Sequence, residues 1–126
     1  MTNNYVFTTI GDVIKKIEID SGGIIDTLVI PEGFTKIEAD AAIYVNIRKL
    51  HLPSSLKEIE DNAFSGSGIY KINIEENSKL ELIEGYTFLG CKNLTEFPCE
   101  LLGTKVPSFL LHPSMLNKHK CLLSLT

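Results

Sequence analysis

Three histidines, His51, His112 and His119, are the side chains best suited to acid–base chemistry, because histidine titrates near neutral pH without a shifted pKa. His51 lies between two leucines, so strand alternation predicts that its imidazole faces solvent rather than a catalytic partner. His112 and His119 share the stretch HPSMLNKHKC with Cys121, and these residue types bind zinc. Their spacings of seven and two residues differ from those usual in zinc sites. We therefore predict no metal site and no cofactor.

The cysteines and paired carboxylates make no stronger case for catalysis. Cys91, Cys99 and Cys121 are an odd number at spacings of 8 and 22 residues, which predicts reduced thiols rather than a disulfide framework. The carboxylate pairs in LKEIED and INIEEN fall in predicted solvent-facing turns, where a glycosidase-like acid pair is not expected. No G-x-S-x-G, P-loop or G-x-G-x-x-G motif is present. The sequence thus predicts no catalytic residue, and we expect a protein that is not an enzyme.

Composition narrows the class of partner. The chain has 126 residues, 44% of them apolar and 22% charged, which is typical of one globular domain. A net charge of −4 and a pI of about 5.3 disfavour nucleic acid, because phosphate binding needs a positive surface. No signal peptide and no membrane-length apolar run are found, so no membrane contact is expected. As written, the sequence favours a cytoplasmic location, with a removed export signal as the alternative.

The chain contains an internal repeat. Residues 25–46 and 47–68 are two copies of one pattern, and a third copy begins at residue 69. Two extra residues enter the third copy between positions 76 and 79, so later matches fall 24 residues apart. Insertions between elements are what repeat proteins tolerate. The residues that match at the offset of 22 are Ile25/Ile47, Leu28/Leu50, Ile30/Leu52, Pro31/Pro53, Phe34/Leu56, Ile37/Ile59, Glu38/Glu60 and Ala41/Ala63.

Each copy predicts a strand, a turn and a bend. Apolar residues at the first, fourth and sixth positions of a copy indicate a strand with one buried face, and Pro31 and Pro53 end the first two strands. The segments AAIYVN and AFSGSG are each expected to form one short helical turn, after which Gly66 and Gly68 let the chain bend back. Such a unit cannot bury its apolar face alone, so neighbouring units must stack.

The string LHLPSSLKEIEDNAFSGSGIYKINI resembles the leucine-rich repeats of the BspA type. The order is the same: a strand ending in Leu-Pro, a serine-rich turn, an isoleucine, Ala-Phe, and a glycine bend. The resemblance implies the α/β class and a short leucine-rich-repeat solenoid, with a parallel β-sheet on one face and turns and short helical segments on the other. We expect a single domain over residues 1–126, with 25–98 as core repeats. Residues 1–24 and 99–126 then form the terminal caps that a solenoid requires.

The outward strand positions carry an uneven share of charge. They hold five of the 12 basic residues (Lys15, Lys16, Arg48, Lys49 and Lys71) and three of the 16 acidic residues. A small asymmetry of this kind can arise by chance, because lysine and arginine are common on solvated strands. It can also mark a contact surface, since arginine and tyrosine are enriched at interfaces. On the second interpretation the partner-binding residues are Arg48, Lys49, His51, Tyr70, Lys71 and Asn73.

These observations favour a non-catalytic protein–protein interaction module that presents its strand face to a protein partner of acidic character. The alternative is a structural or self-associating unit, because the open end coils of a short solenoid can stack on another copy to form a homo-oligomer.

Overall fold

The computed structural model describes residues 5–84, 86–94, 96–97 and 120–121. Within them the chain winds into stacked coils joined by short parallel ladders. In chain order the strands are β1 (Tyr5–Ile10), β2 (Val13–Ile19), β3 (Ile25–Val29), β4 (Lys36–Ile37), β5 (Ile47–Leu52), β6 (Glu58–Ile59), β7 (Lys71–Ile74), β8 (Leu82–Ile83), β9 (Glu96–Phe97) and β10 (Lys120–Cys121).

One parallel sheet joins β3, β5 and β7, a strand from each of three successive coils. Its register follows the repeat, so Leu28 lies opposite Leu50 and Leu50 opposite Ile72. All three side chains are buried, as are Leu52 and Ile74 at the ends of their strands. The sequence repeat predicts adjacent parallel strands at 47–52 and 69–74 with Leu50, Leu52, Ile72 and Ile74 inside. This is confirmed, except that the second strand begins at Lys71. Each fully buried leucine or isoleucine contributes roughly 1.5–3 kcal/mol, so the stack of apolar columns supplies most of the stability.

A second sheet, in the order β1-β2-β4-β6-β8, forms another side of the solenoid. From β2 onward the strands are parallel, and Ile14, Ile37, Ile59 and Ile83 form a buried column along it. At the N-terminal end β1 folds back antiparallel to β2. The first described coil is therefore covered by a hairpin rather than by another full repeat.

The bends on the remaining side of the solenoid are not helical, so the prediction of short helical segments there is wrong. The described residues contain no α-helix, and a single 3-10 turn at Asp20–Gly22 lies outside the bends. Asp40 and Asn62, at equivalent positions, have φ angles of 62° and 60°, which interrupts a right-handed helix. The predicted α/β class is therefore wrong with respect to its helices, whereas the predicted solenoid with a parallel sheet is confirmed.

Hydrogen bonding in the bends explains why a helix does not form. The N–H groups of Ala41, Ile43 and Val45 donate to carbonyls three residues earlier in their own coil, at 3.1–3.3 Å. The intervening N–H groups of Ala42 and Tyr44 donate instead to the next coil, at 2.7 and 2.9 Å. Every second amide thus holds two coils together, and a helix would withdraw those donors from the stack.

The interior of the bends is filled by aromatic rings. Phe64 and Phe88 occupy equivalent positions and stack with centroids 5.9 Å apart and planes 7° apart. Cys91 is buried near them, with its Sγ 3.5 Å from Ser67 Oγ and 3.6 Å from the carbonyl oxygen of Phe64. The position of Cys91 at the bend of its repeat predicts a buried thiol, and the structure confirms this.

The two extra residues of the third copy lie in a turn after β7, where Asn77 has a φ of 60°. The ladder resumes at β8, where Ile83 pairs with Ile59, so the insertion leaves the stack intact. Further on, β10 pairs in parallel with β9. Of the expected C-terminal cap, residues 99–126, only 120 and 121 are among the described residues.

Candidate protein-interaction surface

The outward side of the β3-β5-β7 sheet, with the adjacent Tyr70, is called the strand face below. Its register brings the sequence-predicted residues side by side on β5 and β7. Lys49 lies opposite Lys71, His51 lies opposite Asn73, and the amide of Tyr70 donates to the carbonyl of Arg48 at 2.9 Å. The outward positions of β3 complete the face: Asp26, Thr27 and Val29.

The centre of the strand face is a pair of like charges in register. Lys49 is half-buried between Thr27 and Lys71, and Lys71 is exposed. Neither lysine forms an ion pair with a residue in the described part of the chain. Because like charges directly opposite on neighbouring strands are destabilising, we expect this pair to lower the stability of the sheet.

The other two basic groups of the face have acidic neighbours. Arg48 Nη1 lies 3.9 Å from Asp26 Oδ1, and both side chains are 58% exposed. His51 Nε2 lies 3.0 Å from Glu75 Oε1. Ion pairs of this exposure contribute little to stability, but they partly offset the charge of Arg48 and would do so for a protonated His51. Within the described ranges, the charge left without a counterion is therefore that of Lys49 and Lys71.

Two exposed apolar side chains border these charges. Val29 on β3 is 45% exposed, and Tyr70 beside β7 is 43% exposed. A tyrosine ring offers a large contact area with few rotatable bonds, which is why it is frequent at binding hot spots. The strand face thus combines cationic and apolar contact groups.

The structure corrects the extent of the basic surface. Lys15 and Lys16 were counted with the outward strand positions, but β2 belongs to the second sheet and not to the strand face. They are also paired, Lys15 with Glu38 at 3.4 Å and Lys16 with Glu18 at 3.8 Å. The candidate surface is therefore confined to β3, β5 and β7.

The second sheet and the residues beside it carry lysines that pair with glutamates. Lys36 Nζ lies 3.3 Å from Glu60 Oε2, and the hydrogen bond to Glu60 raises the pKa of Lys36, helped by the charges of Glu60, Glu58 and Glu38. Glu60 Oε1 also accepts a hydrogen bond from the amide of Ala39 at 3.3 Å. These charges are engaged in linking neighbouring coils, which leaves them less free for a partner than the lysines of the strand face.

The described residues bring together no cluster of side chains suited to holding a metal ion. The parts of the chain that the structure describes contain no cluster of three or more His, Cys, Asp or Glu side chains that could hold a metal ion. His112, His119 and Cys99 lie outside those residues, and of Cys121 only the strand position is known. Nor do the described residues form a helix with the length and apolarity that a membrane crossing requires.

Sequence reasoning missed the two ion pairs of the strand face, Asp26 with Arg48 and Glu75 with His51. Asp26 precedes Arg48 by 22 residues, and Glu75 follows His51 by 24. The repeat offset could have placed Asp26 beside Arg48, but the pairing of Glu75 depends on a side chain reaching back from beyond the end of β7.

Comparison with known proteins bears on the whole length of the solenoid. A family model for the BspA type leucine-rich repeat region matches residues 14–121 in six copies. The matched region extends at both ends beyond residues 25–98, which the sequence pattern predicts to be the core repeats. Neither a curated protein nor a solved structure matches the chain.

Proposed function

The chain belongs to the BspA-type leucine-rich repeat family, and from that membership we propose that it is a non-catalytic interaction module whose strand face binds an acidic segment of a protein partner. Repeats of this class serve as interaction or repeat modules, because stacked coils build a continuous surface rather than a pocket. The contact residues in this proposal are Arg48, Lys49, His51, Tyr70, Lys71 and Asn73.

One observation carries the proposal: Lys49 and Lys71 lie opposite each other on an exposed sheet, and neither has a counterion in the part of the chain that the structure describes. Folding alone gives no reason to place like charges in register. Local arrangements that lower stability concentrate at functional sites. A carboxylate from a partner, placed between the two ammonium groups, removes the repulsion and gains two charge-assisted contacts.

The remaining groups of the face fit the same ligand. Tyr70 and Val29 offer apolar contact on either side of the lysines, which suits an acidic segment that also carries aliphatic or aromatic side chains. Charge then steers the encounter, and the apolar contacts slow dissociation. Binding should accordingly weaken as salt is raised, because exposed charges are screened.

A library of displayed 12-residue peptides, selected against the immobilised chain, tests this function. We expect enriched peptides to be acidic, and the double variant Lys49→Glu/Lys71→Glu to bind them at least about tenfold more weakly, a loss of about 1.4 kcal/mol. A matched control reverses the same kind of charge on the turn side: Lys57→Glu, at an exposed position off the strand face. This control should retain binding.

The relative peptide affinities of the two variants show whether the binding site lies on the strand face or on the turns. Loss of binding in Lys57→Glu, with retention in the strand-face variant, would move the site to the turns. Enrichment of peptides without acidic character would reject the acidic partner. Circular dichroism of all variants separates lost contacts from lost folding.

A further inference from the structure

The outer edge of β1 has no strand partner among the residues that the structure describes. In the second sheet β1 is the terminal strand, and its one strand partner among the described residues is β2. The alternate backbone N–H and C=O groups that do not face β2 therefore pair with no described strand, and they can bond to an added one. An edge of this kind is a template for pairing with a further chain.

Natural edge strands usually carry features that prevent such pairing, and β1 has few of them. Its sequence, YVFTTI, contains no charged residue and no proline, and four of its six residues are β-branched. The register with β2 shifts between Thr8 and Thr9, but the extra residue of this bulge is Lys15 on β2. The β1 backbone itself carries no inserted residue.

The outward side chains of β1 are arranged symmetrically about Thr8. Val6 and Ile10 lie two residues on either side of it, on the same face of the strand, and are 62% and 65% exposed. If two copies of β1 pair antiparallel with Thr8 opposite Thr8, Val6 of each copy stands opposite Ile10 of the other. Apolar and threonine pairs of this kind stabilise neighbouring strands.

We propose that this edge pairs two copies of the chain into a symmetric dimer, in which β1 of one copy adds antiparallel to β1 of the second. The second copy is the occupant because the strand is complementary to itself: one register satisfies both exposed apolar residues in both copies, as an isologous interface requires. The two solenoids then extend away from a continuous sheet. A single added strand buries less than about 1,200 Å², so the dimer is weak and reversible.

Sedimentation equilibrium of the full chain tests the proposal with two double variants that differ only at position 10. In Val6→Lys/Ile10→Lys, the new lysines of the two copies face each other, and we expect the dimer to weaken at least about tenfold. In Val6→Lys/Ile10→Glu, the new lysine faces the new glutamate of the other copy, so dimerisation should recover. Within one copy the two positions are roughly 13 Å apart, so the swap creates no direct ion pair between positions 6 and 10 of the same copy.

The control Val29→Lys alters another exposed apolar residue, on the strand face instead of β1, and should leave the dimer intact. A chain that stays monomeric at all concentrations overturns the proposal. So does equal behaviour of the two double variants, or a dimer that only Val29→Lys disrupts. None of these outcomes depends on the peptide-binding function of the strand face.

Discussion

Lys49 and Lys71 stand directly opposite each other on neighbouring parallel strands, with no counterion among the described residues. Changing Lys71→Glu turns the repulsive pair into an attractive one. We therefore expect the free energy of unfolding to rise by about 0.2–1 kcal/mol, measured by urea denaturation. The free energy of unfolding of Lys71→Gln, which only removes the repulsion, should fall between those of the native chain and Lys71→Glu. A drop in stability for Lys71→Glu would show that the two ammonium groups do not interact.

Lys71→Glu is thus expected to raise the stability of the chain, whereas the proposed function predicts that it weakens the binding of an acidic peptide. A substitution that stabilises the solenoid and weakens the binding of an acidic peptide would separate the role of Lys71 in folding from its role at the surface. A trade of stability for function at one site is a known pattern in natural proteins.

Leu50 lies at the centre of the buried column between Leu28 and Ile72. Leu50→Asp would bury an unpaired carboxylate there and should cost about 3–5 kcal/mol, a large part of the 5–15 kcal/mol typical of a domain. Thermal unfolding followed by circular dichroism measures the loss. Lys49→Asp, one residue away on the outward side, is the control and should unfold near the native temperature. A cooperatively folded Leu50→Asp chain of native stability would contradict the register.

Gly66 is held in a conformation that other residues adopt at a cost, with a φ of 72°. A Cβ at this position would also lie 2.5 Å from Cδ1 of Tyr44, whose ring covers the glycine. Gly66→Ala should lower the free energy of unfolding by at least about 1 kcal/mol. Gly23→Ala is the matched control, because its φ is −76° and its Cβ meets only ordinary contacts. Adding Tyr44→Ala should recover the part of the cost due to the clash and leave the part due to φ.

Cys91 is buried, and its thiol lies among Ser67, Phe64 and the bend backbone. In a chain that also carries Cys99→Ser and Cys121→Ser, a thiol reagent should label Cys91 slowly in the native state and rapidly in urea, because reaction needs exposure of the sulfur. Labelling at equal rates in both conditions would show that the bend opens freely.

The pKa of Lys36 lies above its ordinary value of 10.5, chiefly because its ammonium donates a hydrogen bond to Glu60. A raised lysine pKa contributes stability that is fully present below pH 10.5 and is lost as pH rises through the folded-state value. Glu60→Gln should therefore lower the pKa of Lys36, as followed by NMR titration of its side chain. An unchanged titration would mean that Glu60 does not hold the ammonium group.

The contacts of Glu60 and Asp61 make charge reversal at these residues unsuitable as a control for binding at the strand face. From sequence alone, both residues are predicted to lie in a solvated turn, where a change of charge should not affect folding. Glu60 instead pairs with Lys36, and Asp61 Oδ1 accepts a hydrogen bond from the amide of Tyr86 at 3.0 Å. Both acids link adjacent coils, so their reversal would confuse folding with binding, whereas Lys57→Glu does not.

Much of the sheet was predictable because the repeat offset determines the register. Once Leu28, Leu50 and Ile72 are aligned by spacing, stacking them is the one way to bury all three, and their outward neighbours follow. The same logic places Lys49 beside Lys71. It places Lys15 wrongly, because an apolar spacing typical of the strand also occurs in β2, which joins the other sheet.

The bends were harder to predict, because a short segment such as AAIYVN suits a helical turn by composition alone. What decides against it is the neighbouring coil, which takes every second amide of the bend as a hydrogen-bond donor. Such a contact spans more than twenty residues and leaves no local signal beyond Asp40 and Asn62, residue types that tolerate a positive φ.

The amides that alternate between a coil and its neighbour also determine how the molecule responds to tension. The junctions between coils are arranged in series, so a pull applied along the solenoid axis acts on each of them, and the weakest yields first. A detached coil of about 22 residues would release roughly 75 Å of chain. The protein would then lengthen in discrete steps, one coil at a time, instead of giving way all at once.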